Sequence, residues 1–199
     1  KGSATGNAAI AVDNTDPGKL IASAAEAMLR DLDANRAEYR KDPVKVEQLV
    51  DRILLPYFDT DYAARLVLGR HWNGATAEQR KRFVDGFYKS LLRSYGGALS
   101  EFTGDRLKVF PYKGDTAAAN ATVRTQVRKS DGTMVAVNYS LRRTPQGWKA
   151  WDVVIEGISY VKSFRDDFGA EVEQRGLDAL IKRLESPRQR KTPSPAPSA

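Results

Sequence analysis

The residues of this sequence that could do chemistry are few and widely spaced. His71 is its single histidine, and as a general base it needs an orienting carboxylate, which Asp59 or Asp61 supplies only if the short helix between them folds back. The competing reading of His71 and Trp72 is packing and helix-end capping. One histidine cannot build a multi-histidine metal site, and no metal-ligand spacing accompanies it. Asp152 and Glu156 fall on the outward parity of a strand-like segment, facing away from its apolar side, and make a poor acid/base pair. Asp166 and Asp167 lie off the apolar stripe of their helix and read as solvating charges. No nucleophile elbow, phosphate loop or dinucleotide fingerprint is present. The sequence offers an interior without a reactive group in it.

That interior is announced by residues 148–168, where the hydrophobic period changes from two to nearly four. Trp151, Val153 and Ile155 alternate with Asp152, Val154 and Glu156, as on a strand. After Gly157, Ile158, Val161, Phe164 and Phe168 follow helical spacing. The pattern predicts a strand feeding directly into a helix at Gly157, with the two apolar faces closing on one another.

Upstream, Asp16-Pro17 opens a helix expected to reach about Lys41, and Asp42-Pro43 opens a second, with Pro56 kinking its end. Asp59 or Thr60 caps a third, which Gly69 terminates. Thr76 and Gln79 form a capping box for the longest helix, where Phe83, Phe87, Leu91, Tyr95 and Leu99 make one row and Val84, Tyr88 and Leu92 another. From Arg106 the period is two. Residues 107–111, 117–129, 133–143 and 147–156 predict a four-stranded antiparallel meander with turns at 130–133 and 144–147. Its inward face carries Ala119, Ala121, Val123, Thr125 and Val127, then Val135, Val137, Tyr139 and Leu141, then Trp151, Val153 and Ile155. Arg124 and Arg128 point outward, leaving one dry face. Gly176 breaks the final helical stretch. The predicted class is α+β, a curved sheet wrapped around helices.

A chain of 199 residues with 41% hydrophobic and 29% charged residues suffices for one core. The expected organisation is a flexible stretch over 1–15 and one domain over 16–185. Within that domain, 16–104 is mostly helical, 105–157 is sheet and 158–185 is C-terminal helix. A disordered Pro/Ser-rich basic tail covers 186–199. No apolar run approaches the roughly 18 residues of a membrane span, and the start lacks the apolar segment of a signal peptide. The absence of cysteine excludes disulfides and thiol catalysis. The formal charge of +7 raises nucleic acid as a partner, but the basic residues are interspersed with acids, which argues against it. Arg124, Arg128, Lys129, Arg142 and Arg143 read as a solvated face or as a docking surface for an anionic membrane or acidic partner.

Several separated motifs carry a resemblance. The run 54–72 (LLPYFDTDYAARLVLGRHW), residues 75–80 (ATAEQR) with Phe83 and Phe87, the strand 148–159 (WKAWDVVIEGIS) and residues 176–181 (GLDALI) together resemble the MlaC family, also known through toluene tolerance. The match spans about 17–185. The resemblance implies a non-enzymatic, monomeric phospholipid carrier of the Gram-negative periplasm, with no cofactor and a diacyl phospholipid as cargo. It also implies exchange with an outer-membrane lipoprotein and an inner-membrane MCE-domain protein of an ABC transporter, in maintenance of outer-membrane lipid asymmetry. The implied fold is a curved sheet with helices, similar to the nuclear-transport-factor cone.

Strand parity and helix phase select the tail-lining candidates: Tyr57, Leu66, Phe83, Phe87, Leu91, Tyr95, Val123, Val137, Tyr139, Leu141, Trp151, Val153, Ile155, Ile158, Val161 and Phe164. Two rivals stand beside the carrier. One is a ketosteroid-isomerase-like enzyme, which needs His71 or a carboxylate pointing inward; the other is an interaction module with a filled core.

Overall fold

Capping chemistry starts each helix where the sequence places it. In a computed structural model that describes residues 11–129 and 131–186, Asp16 accepts from the Lys19 N–H at 3.0 Å and opens α1 (Pro17–Ala34). The expected continuation to Lys41 is interrupted at Asn35, whose φ of −141° leaves the helix, and α2 (Arg36–Lys41) resumes in a new direction. The break lets Tyr39 reach a core with Met28, Leu32, Val46, Leu49 and Val50. Asp42 caps α3 (Pro43–Ile53), Pro56 lies in a 3-10 turn (Leu55–Tyr57), and Asp59 caps α4 (Thr60–Leu68).

A single turn, α5 (Arg70–Asn73), precedes α6 (Ala77–Ser100). The capping box at the start of α6 is complete: the Gln79 N–H donates to Thr76 Oγ1 at 3.1 Å, and the Thr76 N–H donates to Gln79 Oε1 at 2.9 Å. Replacing Thr76 by Ala is expected to cost about 1 kcal/mol of stability, read as a lower denaturant midpoint with an unchanged slope.

The sheet is antiparallel in the order β1 (Leu107–Val109), β2 (Asn120–Arg128), β3 (Met134–Thr144), β4 (Gly147–Ile155), β5 (Ile158–Ser159). It has five strands, not the expected four. Residues 117–119 stay out of β2 because the Asp115 carboxylate accepts from the Ala117 N–H and holds a turn there. The fifth strand corrects the reading of the seam. Glu156 (φ 49°) and Gly157 (φ 80°) form a two-residue hairpin turn with positive φ at both positions. Ile158 consequently pairs back onto Ile155 before the chain enters α7 (Tyr160–Arg175). Glycine accommodates that φ without strain, and Glu156 is held in it by a backbone bond to Ala136 O and a side-chain bond from the Ala136 N–H. After Gly176 the last helix is α8 (Leu177–Glu185).

A bulge changes the parity of β4. Ser140 pairs with Asp152 but Leu141 pairs with Ala150, so Trp151 is the extra residue. Val153 and Ile155 keep the inward parity, whereas Trp148 and Ala150, rather than Trp151, continue it toward the start of the strand. Trp148 is 1% exposed and packs with Leu20, Val123, Leu141 and Ala150. Part of the stretch expected to be a flexible leader is also tied down. The Trp148 N–H donates to Asn14 O, and Asn14 Nδ2 donates to Gln146 O. A Cβ on Gly147 would meet Asn14 Nδ2 at 2.4 Å, so only glycine admits this approach. Residues 1–10 and 187–199, which hold the remainder of that leader and nearly all of the expected tail, lie outside the described residues.

Three buried clusters result. One lies within the C-terminal helices and α4 and α6, one joins α1, α2 and α3 to the other side of α6, and one joins α1 to the sheet. The two rows on α6 do not keep to one core each: Phe83, Phe87 and Leu91 pack in the first cluster together with Val84 of the second row, and Tyr88 and Leu92 pack in the second together with Leu99 of the first row.

Candidate functional site

The inward sheet face is buried unevenly. Register places Ala121, Leu141 and Ala150 in one cross-strand row, Val123, Tyr139 and Val153 in the next, and Thr125, Val137 and Ile155 in the third. Leu20 of α1 covers the first row, and Leu141 and Val123 are 0% and 1% exposed. Thr125 is closed off as well, its hydroxyl donating to Val137 O. Val127, Val135, Tyr139, Val153, Ile155 and Ile158 are all only partly buried. A face packed against helices would bury them, and an open face would expose them; they do neither. Tyr139 is the clearest case: burial alone pushes its phenol above the ordinary tyrosine value, yet the side chain retains accessible surface. Tyr139 packs against the cluster of Leu20, Val123, Leu141 and Trp148.

The helical candidates divide in the same way. Phe83, Phe87 and Phe164, with Phe168, close on one another: the Phe83 and Phe87 rings stack at 5.6 Å, and Phe87 meets Phe164 edge-on at 5.2 Å. They form a filled helix-only core with Leu180, Ile181 and Leu184. Phe83, Phe87 and Phe164, tail-lining candidates by helix phase, are thus packed against α8. Leu91, Tyr160 and Val161 lie partly buried at the margin of this core, and the Tyr95 and Tyr160 rings are 6.3 Å apart. Leu66 is partly buried on α4, and Tyr57 packs against the sheet cluster.

Two polar constructions hold sheet to helices. Asp152, 4% exposed and on the face opposite Tyr139, accepts from the Val153 N–H at 2.8 Å, the Val161 N–H at 3.0 Å and the Ser159 hydroxyl. Ser159 Oγ in turn accepts from the Lys162 N–H and caps α7. Its outward parity was legible in the sequence, but its burial was not, because β5 and the start of α7 cover it. At the other edge of β4, Arg142 donates to Asp59 at 2.7 Å and lies 4.2 Å over the Tyr62 ring, which meets Trp151 edge-on at 5.5 Å. Trp151 is therefore the joint between β4 and α4. Asp59, the carboxylate proposed to orient His71, is committed to the Tyr62 N–H and to Arg142. Asp61 is exposed, and His71 is partly buried in the single-turn α5. The geometry supplies an apolar interior with structural carboxylates around it.

Comparison with known proteins agrees with this arrangement. Residues 22–186 match the family model described as MlaC protein. The chain is 31% identical over 163 residues to the toluene tolerance protein ttg2D of Pseudomonas putida, covering 81% of this chain and 75% of that protein. It is 26% identical over 180 residues to the intermembrane phospholipid transport system binding protein MlaC of Haemophilus influenzae, covering 88% of this chain and 83% of that one. Among solved structures, a phospholipid-binding protein from Ralstonia solanacearum in complex with a phospholipid superimposes with a TM-score of 0.79 at 28% identity, over 85% of this chain and 95% of that one. With a family model matching residues 22–186 and a relative 31% identical over 81% of its length, this chain belongs to the MlaC family.

Proposed function

We propose that this protein is a phospholipid carrier of the periplasm, with residues 16–185 acting as one lipid-binding domain. The observation that carries the reading is a fold shared at a TM-score of 0.79 with a phospholipid-bound relative, supported by the partly buried apolar inner face of the sheet around Tyr139 and Val153. The acyl tails occupy the space bounded by Tyr57, Leu66, Leu91, Tyr95, Val137, Tyr139, Val153, Ile155, Ile158 and Val161. Phe83, Phe87, Phe164, Val123 and Leu141 form the packed walls behind it, and Trp151 holds the joint to α4. The curved sheet and its helices act as a cone around the tails. Each buried methylene contributes about 0.8 kcal/mol, so an apolar interior suffices for tight holding without any catalytic group. The headgroup stays in water, and donor and acceptor are the outer-membrane and inner-membrane components of the Mla pathway.

Native mass spectrometry of gently purified protein tests this reading. A mass increment matching diacyl phospholipid, confirmed by lipid extraction, is the expected result. Protein that is folded and lipid-free after expression in a Gram-negative host overturns it.

A further inference from the structure

The solvent face of the sheet carries a cleft that the tail cavity does not use. Register places Lys108 opposite Gln126 on β1 and β2, and the Phe110 N–H continues that pairing by donating to Arg124 O. Lys108, Phe110, Thr122 and Arg124 consequently share the face opposite Val123 and Tyr139. Lys108 Nζ lies 4.9 Å and Arg124 Cζ 5.6 Å from the centroid of the Phe110 ring, so the ring is flanked by two cations. Beside it a cleft of about 470 Å³ is lined by Phe110, Pro111, Tyr112, Lys113, Thr122 and Arg124.

The charge of this cleft is uncompensated. Other arginines on the same face are paired, Arg128 with Asp105 and Arg142 with Asp59. Among the described residues none of Lys108, Lys113 and Arg124 forms an ion pair. The acid of the adjoining loop, Asp115, accepts from the Ala117 N–H and forms no ion pair with these cations. Two cations around a partly buried phenyl ring, with Lys113, a proline and a tyrosine lining the same cleft, combine the charged and aromatic side chains that favour a membrane interface. The Phe110 N–H is already spent on Arg124 O, so at this position the cleft offers no backbone donor for an extended acidic peptide to pair with.

We infer that the Lys108–Phe110–Arg124 cleft is a docking site for the phosphate groups of an anionic phospholipid surface. The cations meet the phosphates and Phe110 enters the interfacial layer. The site lies on the face opposite the acyl cavity and does not depend on that cavity holding lipid.

The test is co-flotation with vesicles of phosphatidylcholine alone and with about 30% phosphatidylglycerol, at low and high salt. The wild type is expected to float with the anionic vesicles only, and to release as salt rises. At about tenfold or less per basic side chain, Lys108→Glu with Arg124→Glu is expected to weaken binding about 30-fold, and Phe110→Ser several-fold. Lys81→Glu with Lys89→Glu on α6 makes the same change in net charge away from the cleft and is expected to alter binding less than twofold. Circular dichroism and bound-lipid content are expected to stay at wild-type values in all variants. Equal losses in the two double variants would show that net charge alone drives binding and would overturn the site. Unchanged flotation of the Lys108/Arg124 variant would also overturn it, leaving the cleft to an acidic protein surface.

Discussion

Val153→Trp is expected to leave the protein folded and holding phospholipid about 50-fold less tightly. Val153 sits beside Tyr139 in the partly buried row of the sheet, so the larger ring enters the tail space instead of a packed core. Displacing about three methylenes of cargo forfeits about 2.4 kcal/mol of binding, roughly 50-fold in affinity. The stability cost is expected to stay under about 1.5 kcal/mol. Leu141→Trp, two residues along β3 from Tyr139 and 0% exposed, is the contrast. There the ring meets Leu20, Val123 and Trp148, and overpacking of about 1–3 kcal/mol destabilises the fold itself. Native mass spectrometry reads the cargo and urea denaturation reads the fold. Full lipid occupancy in a folded Val153→Trp protein would place the tails elsewhere.

Asp152→Ala is expected to produce the largest stability loss of any single polar substitution in the sheet. The carboxylate satisfies the Val153 and Val161 N–H groups and the Ser159 hydroxyl inside a nearly dry site. Hydrogen bonds to a buried charged group contribute about 1.5–3 kcal/mol each, and stranded donors keep their desolvation cost. Allowing for relaxation and for Ser159 turning to another acceptor, the expected loss is about 3 kcal/mol, or about 6–12 °C in Tm for a domain of this size. Asp152→Asn keeps an acceptor and is expected to lose about half as much. The loss should also speed the release of bound lipid, because Asp152 ties β4 to the start of α7 across the corner of the cavity. A thermal shift no larger than that of an exposed control such as Asp166→Ala would remove Asp152 from this role.

The helix starts were readable because capping is local. Asp16, Asp42, Asp59 and Thr76 each bond to a backbone N–H two or three residues away, and no distant contact is needed to predict that. The meander was readable from its period, and so was the inward parity of Val123, Val137, Tyr139 and Leu141. The bulge at Trp151 was not, because an inserted residue leaves the hydrophobic alternation intact while changing which neighbour each residue meets. Trp148 was missed for the same reason, since an unbroken period assigned it outward. The fifth strand was hidden inside a helix-like spacing: Ile158 and Val161 fit a stripe whether or not the first of them pairs back on Ile155.

The sequence by itself determined the class of the fold, the order of its elements, the lack of a reactive constellation and, through several motifs in order, the family. Those properties rest on short-range backbone chemistry and on composition, which one chain carries in its own letters. Tertiary structure alone decided which apolar residues are fully buried and which only partly. Phe87 and Tyr139 look alike in the sequence as inward aromatics. Phe87 is closed by Phe83, Phe164 and Phe168 from other turns and helices, whereas Tyr139 packs at the margin of the α1–sheet cluster and stays only partly buried. Whether a side chain is packed depends on what arrives opposite it, and that partner comes from a distant part of the chain.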